Sequence, residues 1–190
     1  MDNFDLKREI EKFQPFDELE AEDQKKCLDF LESDEDKFVR TNLKRHFIGD
    51  ALVVDGKGNV LLNFHKALNM WIMFGGHADG EENLLNVAIR ELREESGITE
   101  FELASDGIFD ISVALVPENK LKNEPEHHHY NIAFLMLVKN YDFKISEESN
   151  DITWFTSKEA YEKTASVFVK RQIKKYEKML ADGYFDKFFK

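Results

Sequence analysis

The stretch "GGHADGEENLLNVAIRELREESGI", residues 75–98, decides how the chain is read. It opens on Gly75 and Gly76 and continues as an amphipathic helix, with Leu84, Leu85, Ala88 and Leu92 spaced for one buried face. At about 100° per residue, Glu91, Glu94 and Glu95 fall within roughly a 100° arc of that helix. Like charges at i,i+4 cost roughly 0.2–0.5 kcal/mol even in water. The carboxylates also sit near the helix C-terminus, where the dipole disfavours anions. Local rules are broken in this way at functional sites, and a cation held among the side chains would remove the repulsion. The competing explanation is a solvated acidic face, which is common on Glu-rich helices. An oxygen-only ligand set suits a hard cation, magnesium first, with calcium or manganese as alternatives. Arg90 can hold a neighbouring carboxylate through its planar fork. Gly75 and Gly76 allow a sharp turn and a close approach of backbone to ligand. Gly97 allows the left-handed residue that ends a helix.

Working outward, "FIGDALVVDGKGNVLLNF" reads as strand, turn and strand, with residues 55–59 as the turn. "GIFDISVALV" and "YNIAFLMLV" are two more strands, separated by a polar loop over residues 117–126, and "DITWF" is a short fifth. From Ser157, read as an N-cap, the pattern is helical, with Val167, Ile173, Tyr176 and Leu180 on an apolar face and Gly183 as its stop. Upstream, Leu6, Ile10 and Phe13 mark one helix that ends at Pro15. Asp17 and Glu20 open a second, with Leu19, Cys27, Leu28 and Leu31 as its buried stripe. Residues 1–45 are therefore expected to be a helical extension packed on a core, and residues 46–190 one domain with C-terminal helices. The fold class is α/β, a mixed sheet covered by helices.

The bulk numbers bound the function. A net charge of −12 disfavours a broad phosphate-backbone interface, so no long nucleic acid is expected as a partner. A small phosphorylated ligand fits if metal ions bridge the two negative partners. The single cysteine, Cys27, excludes an intrachain disulfide and a multi-cysteine zinc site, and its setting reads as a buried structural thiol. No continuous apolar run is long enough to cross a bilayer, so no membrane partner is expected. The N-terminus lacks the basic start and apolar stretch of a signal peptide, which makes a cytoplasmic protein the default expectation.

Residues 76–98 resemble the Nudix box of Nudix hydrolases: Gly76, Glu82, Arg90, Glu91, Leu92, Glu94, Glu95, Gly97 and Ile98 fill its specified positions at the required spacing. The resemblance covers about residues 45–160 and implies an αβα sandwich on a mixed sheet. It also implies hydrolysis of a diphosphate linkage in a small nucleoside diphosphate derivative by metal-activated water, with Mg2+ or Mn2+. ADP-ribose, a nucleotide sugar, a dinucleoside polyphosphate and a nucleoside triphosphate all fit. By position, Glu91, Glu94 and Glu95 resemble the metal-binding glutamates, the Gly75 carbonyl a backbone ligand, and Glu82 with Arg90 the charged pair that orients the helix. A further acid expected before a late Trp-bearing strand falls on Glu148 in preference to Glu147. Glu148 and Glu91 are the two candidates for the general base. Phe74 stands where many relatives have Pro, a departure that removes no ligand. Many relatives dimerise, so a homodimer is compatible with the sequence.

The run His127–His129 asks for a separate account. On a strand His127 and His129 share one face and His128 takes the other, so the three cannot converge on one ion. His127 or His129 facing the phosphates is one reading, and His77 is a further candidate for a phosphate contact. Ordinary polar strand-edge residues are the plainer alternative. Trp71, Phe74 and Phe47 are candidates for a base-stacking wall, against the commoner role of core aromatics. Two other functions are weighed. A non-catalytic nucleotide-ligand sensor usually lacks box glutamates, and all are present here. Isopentenyl-diphosphate isomerase chemistry needs an active-site cysteine, and Cys27 lies far from the box in sequence.

Overall fold

The computed structural model describes residues 4–66, 68–118, 124–144 and 149–189. Along them come α1 (Leu6–Lys12), α2 (Glu18–Leu31), β1 (Arg45–Val54), β2 (Asn59–His65), β3 (Met70–Ile72), β4 (Phe74–His77) and α3 (Leu84–Ser96). They continue with β5 (Glu102–Leu103), β6 (Asp110–Val116), β7 (His127–Leu137), β8 (Ser149–Thr156), α4 (Ser157–Lys163), α5 (Val167–Ala181) and a closing 3-10 turn, Tyr184–Phe188. Two compact units organise these elements. The first takes residues 1–50, 75–89 and 106–134, and the second residues 51–74, 90–105 and 135–190. β1, β7 and α3 are long enough to run through both.

In the first unit β6 pairs antiparallel with β7, from Asp110 opposite Ala133 to Val116 opposite His127, and β4 pairs with β1. The two N-terminal helices start on aspartate caps: Asp5 accepts from Arg8 N at 3.1 Å and Asp17 from Glu20 N at 2.8 Å. The buried stripe of α2 is not the apolar one read from the sequence. Leu19 is 43% exposed, and the buried residues are Glu20, Asp23, Cys27 and Phe30. The reason lies on β6. Glu20 Oε1 accepts from Ile111 N at 3.2 Å and Asp23 Oδ2 from Val113 N at 3.1 Å, so two carboxylates bond alternate backbone N–H groups along the strand. Charged side chains that satisfy a strand in this way take the place of a further strand. Cys27 is fully buried, and burial raises its thiol far above the ordinary range, as a structural role requires. Phe47 is also fully buried, within 5.3 Å of Phe30 and 5.7 Å of Tyr130 between ring centroids, and has no face free to stack on a base.

The second unit holds the strand order β3-β2-β1-β7-β5, with β8 on β2. The β1–β2 hairpin has Val54 opposite Val60, and the turn between them uses left-handed backbone at Gly56 (φ 69°) and Gly58 (φ 111°). The cap of α4 is Thr156, one residue before Ser157, in a reciprocal arrangement with Glu159. On α5, Val169, Ile173 and Tyr176 are buried, whereas Val167 is 61% exposed in the first turn, ahead of the face that meets the core.

Asp55 organises the hairpin turn. Its Oδ1 accepts from Lys57 N at 2.7 Å and Asn59 N at 2.9 Å, and its Oδ2 from Asn59 Nδ2 at 2.6 Å and the Tyr141 hydroxyl at 2.9 Å. The Tyr176 hydroxyl donates to Oδ1 at 3.3 Å and accepts from Gly58 N at 3.0 Å. Burial pushes the Asp55 carboxyl up, but hydrogen bonds from Asn59, Lys57 and Tyr141 outweigh it and hold the group below its ordinary value. Asp55→Ala strands several of these donors and is expected to cost about 2 kcal/mol in urea unfolding at neutral pH. A depressed carboxyl contributes stability above its unfolded value, about 3.9, and that contribution disappears as pH falls through the lower folded value. The gap between wild type and variant should therefore close on acidification. A gap that stays undiminished once the Asp55 carboxyl is protonated in the folded and unfolded states would contradict this role for the charge.

Candidate active site

Helix α3 begins where Asn83 Oδ1 accepts from Leu85 N at 3.1 Å and Asn86 N at 3.4 Å. Leu84, Leu85, Val87, Ala88 and Leu92 are buried, as the 3.6-residue spacing demands. The helix ends where the Ser96 hydroxyl donates to Leu92 O at 2.6 Å and Gly97 takes φ 69°. The left-handed glycine expected from the sequence is thus present.

The second unit carries Arg90, Glu91, Glu94 and Glu95. Glu94 is exposed, Glu91 half-buried and Glu95 buried. Arg90 Nη2 donates to Glu91 Oε1 at 2.7 Å, which fixes one carboxylate by a charge-assisted bond. Glu95 Oε1 accepts from Asn63 Nδ2 at 3.2 Å, across from β2. Asn63 was not singled out in the sequence, where it is one polar residue in an apolar strand. It is fully buried, and its Oδ1 has no hydrogen-bond partner. A buried acceptor without a donor is costly unless a cation or water meets it. An all-oxygen donor set with that acceptor beside Glu95 fits a hard divalent ion such as Mg2+ or Mn2+.

The first unit carries Gly75, Gly76, His77 and Glu82. Gly75 and Gly76 do not form the sharp turn expected of them. They lie within β4, and neither has positive φ. The demand at Gly75 is close approach: an added Cβ would collide with Asp50 Oδ1 and stand 2.9 Å from Gly49 O. Phe74 is fully buried and, like Phe47, offers no surface to a base. Glu82 is exposed just ahead of α3. Glu147 and Glu148 lie outside the described residues.

The histidines are placed differently from a simple strand edge. His127 is buried, His128 exposed and His129 half-buried, as strand alternation requires. His127 and His129 are joined by His77 from β4 and by His46 from β1, a residue that drew no notice in the sequence. The candidate ligand atoms of the four all lie within 4.8 Å of one another. Burial pushes His77 down to about 4, helped by Arg40 and His46. Burial pushes His129 down to about 2, helped by His77, His46 and His127. His46 is lowered as well, again by burial first. At neutral pH these three rings are uncharged, a poor basis for gripping phosphate.

A family model described as NUDIX domain matches residues 44–176. A protein of Lactococcus lactis subsp. cremoris named probable DHNTP pyrophosphohydrolase is 31% identical over 72 residues, 38% of this chain and 42% of the relative. The match thus spans less than half of that relative's length. Among solved structures, a C. elegans Ap4A hydrolase binary complex superposes with TM-score 0.55 at 20% identity, covering 72% of this chain and 98% of that one. The NUDIX domain of Shewanella oneidensis NrtR, in a cocrystal structure with ADP ribose, gives TM-score 0.53 at 14% identity, covering 80% and 96%. At such identities the likeness is one of fold: a mixed β-sheet flanked by helices, as expected from the sequence.

Proposed function

Because the chain belongs to the NUDIX domain family, we propose that it hydrolyses a diphosphate linkage in a nucleoside diphosphate derivative, with Mg2+ or Mn2+ held by Glu91, Glu94 and Glu95. The observation that carries the proposal is the three-glutamate face of α3, with buried Glu95 backed by Asn63 and half-buried Glu91 held by Arg90.

A diphosphate resists hydrolysis because negative oxygens shield its phosphorus atoms. Divalent ions, when bound, neutralise those oxygens and orient the attacking water and the leaving phosphate. The residues of this chain supply position and charge, which is most of what phosphoryl chemistry asks of a protein. Arg90 holds Glu91 in one orientation, and Asn63 does the same for Glu95. Glu91 or Glu148 accepts the proton of the attacking water. Gly76 and Gly97 shape the segments on either side. Residues 1–45 are read as an extension outside the hydrolytic fold, and residues 46–190 as the hydrolase domain. His77, His127 and His129 are kept as candidates for a substrate contact through their ring N–H groups, whereas the buried Phe74 offers no face to a base.

The test is a panel of nucleotide derivatives assayed with Mg2+ or Mn2+ by phosphate release after phosphatase coupling. It includes ADP-ribose, Ap4A and DHNTP, which the names of its relatives supply, together with nucleotide sugars and nucleoside triphosphates. Metal-dependent turnover of at least one member is the expected result. Tight binding without turnover across the panel would replace the hydrolase with a ligand sensor.

A further inference from the structure

We propose that His46, His77, His127 and His129 form a binding site for a zinc-class divalent ion, built from nitrogen ligands and independent of the glutamates of α3. All four belong to the first compact unit. They come from three strands, β1, β4 and β7, so an ion here clamps three strands at one point.

The geometry is that of ligands already turned inward. His127 Nε2 and His129 Nε2 stand 3.0 Å apart. A tetrahedral zinc ion with bonds of about 2.0–2.1 Å sets its ligand atoms roughly 3.3 Å from one another. The other ligand atoms, all within 4.8 Å, close the remaining distance by side-chain adjustment. Ring centroids of His46 lie 4.9 Å from His77, 5.0 Å from His127 and 4.9 Å from His129.

The outward nitrogens are secured as in metal sites. His127 Nδ1 lies 2.8 Å from Pro125 O and His46 Nδ1 lies 3.1 Å from Asn42 O, so each ring donates one N–H to a backbone carbonyl and turns its Nε2 lone pair to the cluster. His46 Nε2 is buried without a hydrogen-bond partner. An unmet buried acceptor of this kind is destabilising, and an ion would satisfy it. The N–H shared between His127 and His129 shifts to Nδ1 of His129 when both Nε2 lone pairs turn to the ion. Four imidazoles without carboxylate or thiolate favour Zn2+ and its first-row neighbours over Mg2+ or Ca2+.

The experiment uses the full, untagged chain, stripped by a chelator and titrated with Zn2+ alone. The expected result is uptake of about one equivalent, with a raised unfolding temperature. X-ray absorption on the zinc-loaded wild type should show a shell of imidazole nitrogens. His46→Ala and His127→Ala should each weaken uptake by at least about tenfold. His128→Ala, on the opposite face of the strand, should leave it unchanged. No zinc uptake by the folded wild type, equal uptake by His46→Ala, or a shell of carboxylate oxygens would each overturn the proposal. The absorption measurement decides the matter even if a variant fails to fold. The hydrolase assignment does not depend on its outcome.

Discussion

Glu94→Gln is expected to lower kcat by at least about a hundredfold at saturating Mg2+, with kcat/KM falling by a similar factor. The substitution keeps the size and hydrogen-bonding reach of the side chain and removes only its charge. Glu94 is exposed on α3, so the fold has little to lose. Stability should move the other way. The wild-type carboxylate sits near a helix C-terminus among like charges, and its removal should stabilise the metal-free protein by a few tenths of a kcal/mol, roughly 0.3 or more. A hundredfold loss corresponds to about 2.7 kcal/mol of transition-state stabilisation, far more than the local gain. Lower activity together with equal or higher unfolding temperature separates a site residue from a structural one. Near-normal Mg2+-dependent turnover would remove Glu94 from the site.

Gly49→Ala is expected to be strongly destabilising although it adds a single methyl group. A Cβ at this position of β1 would stand 2.5 Å from Leu84 O, 2.8 Å from Val87 Cβ and 3.0 Å from Ala88 N. Two of those neighbours are backbone atoms of the first turns of α3, which cannot move singly. The helix must lift from the strand or the strand must bend. The expected cost is about 3 kcal/mol, at the upper end of overpacking effects. For a chain of this size that is a fall of roughly 6–12 °C in Tm. Calorimetric unfolding of the purified variant checks it. A change within about a degree would mean that helix and strand adjust far more easily than close packing allows.

These two residues also mark what a sequence reader can and cannot see. The acidic face of α3 was legible because its evidence is local: the spacing of Glu91, Glu94 and Glu95 follows from helix geometry alone. The hairpin around Asp55 was legible for the same reason, since strand formers flank a glycine-rich turn. Gly49 reads in sequence as an unremarked strand residue, because its role is set by a helix more than thirty positions away. The stripe of α2 was misread at Leu19 for a related reason. Glu20 and Asp23 are buried to serve the backbone of β6, and no periodicity rule anticipates a partner about ninety residues distant. Asn63 beside Glu95 is a third case of long-range pairing.

The histidines show the limit most clearly. Strand alternation ruled out convergence of His127, His128 and His129, and the alternation is observed. Nothing local to the run announces that His46 and His77 arrive from two other strands to complete a cluster with two of the three. Gly75 and Gly76 likewise kept their importance but changed their reason, from a turn to a strand closely approached by Asp50.

In the proposed hydrolase the carboxylates of Glu91, Glu94 and Glu95 gather divalent ions. Isothermal titration of the chain with Mg2+ or Mn2+, with and without nucleotide, tests this most directly, using wild type, Glu94→Gln and His46→Ala in parallel. Uptake is expected in the wild type, weaker uptake in Glu94→Gln and an unchanged Mg2+ isotherm in His46→Ala. Absence of uptake with nucleotide present, or uptake that Glu94→Gln leaves untouched, would contradict it.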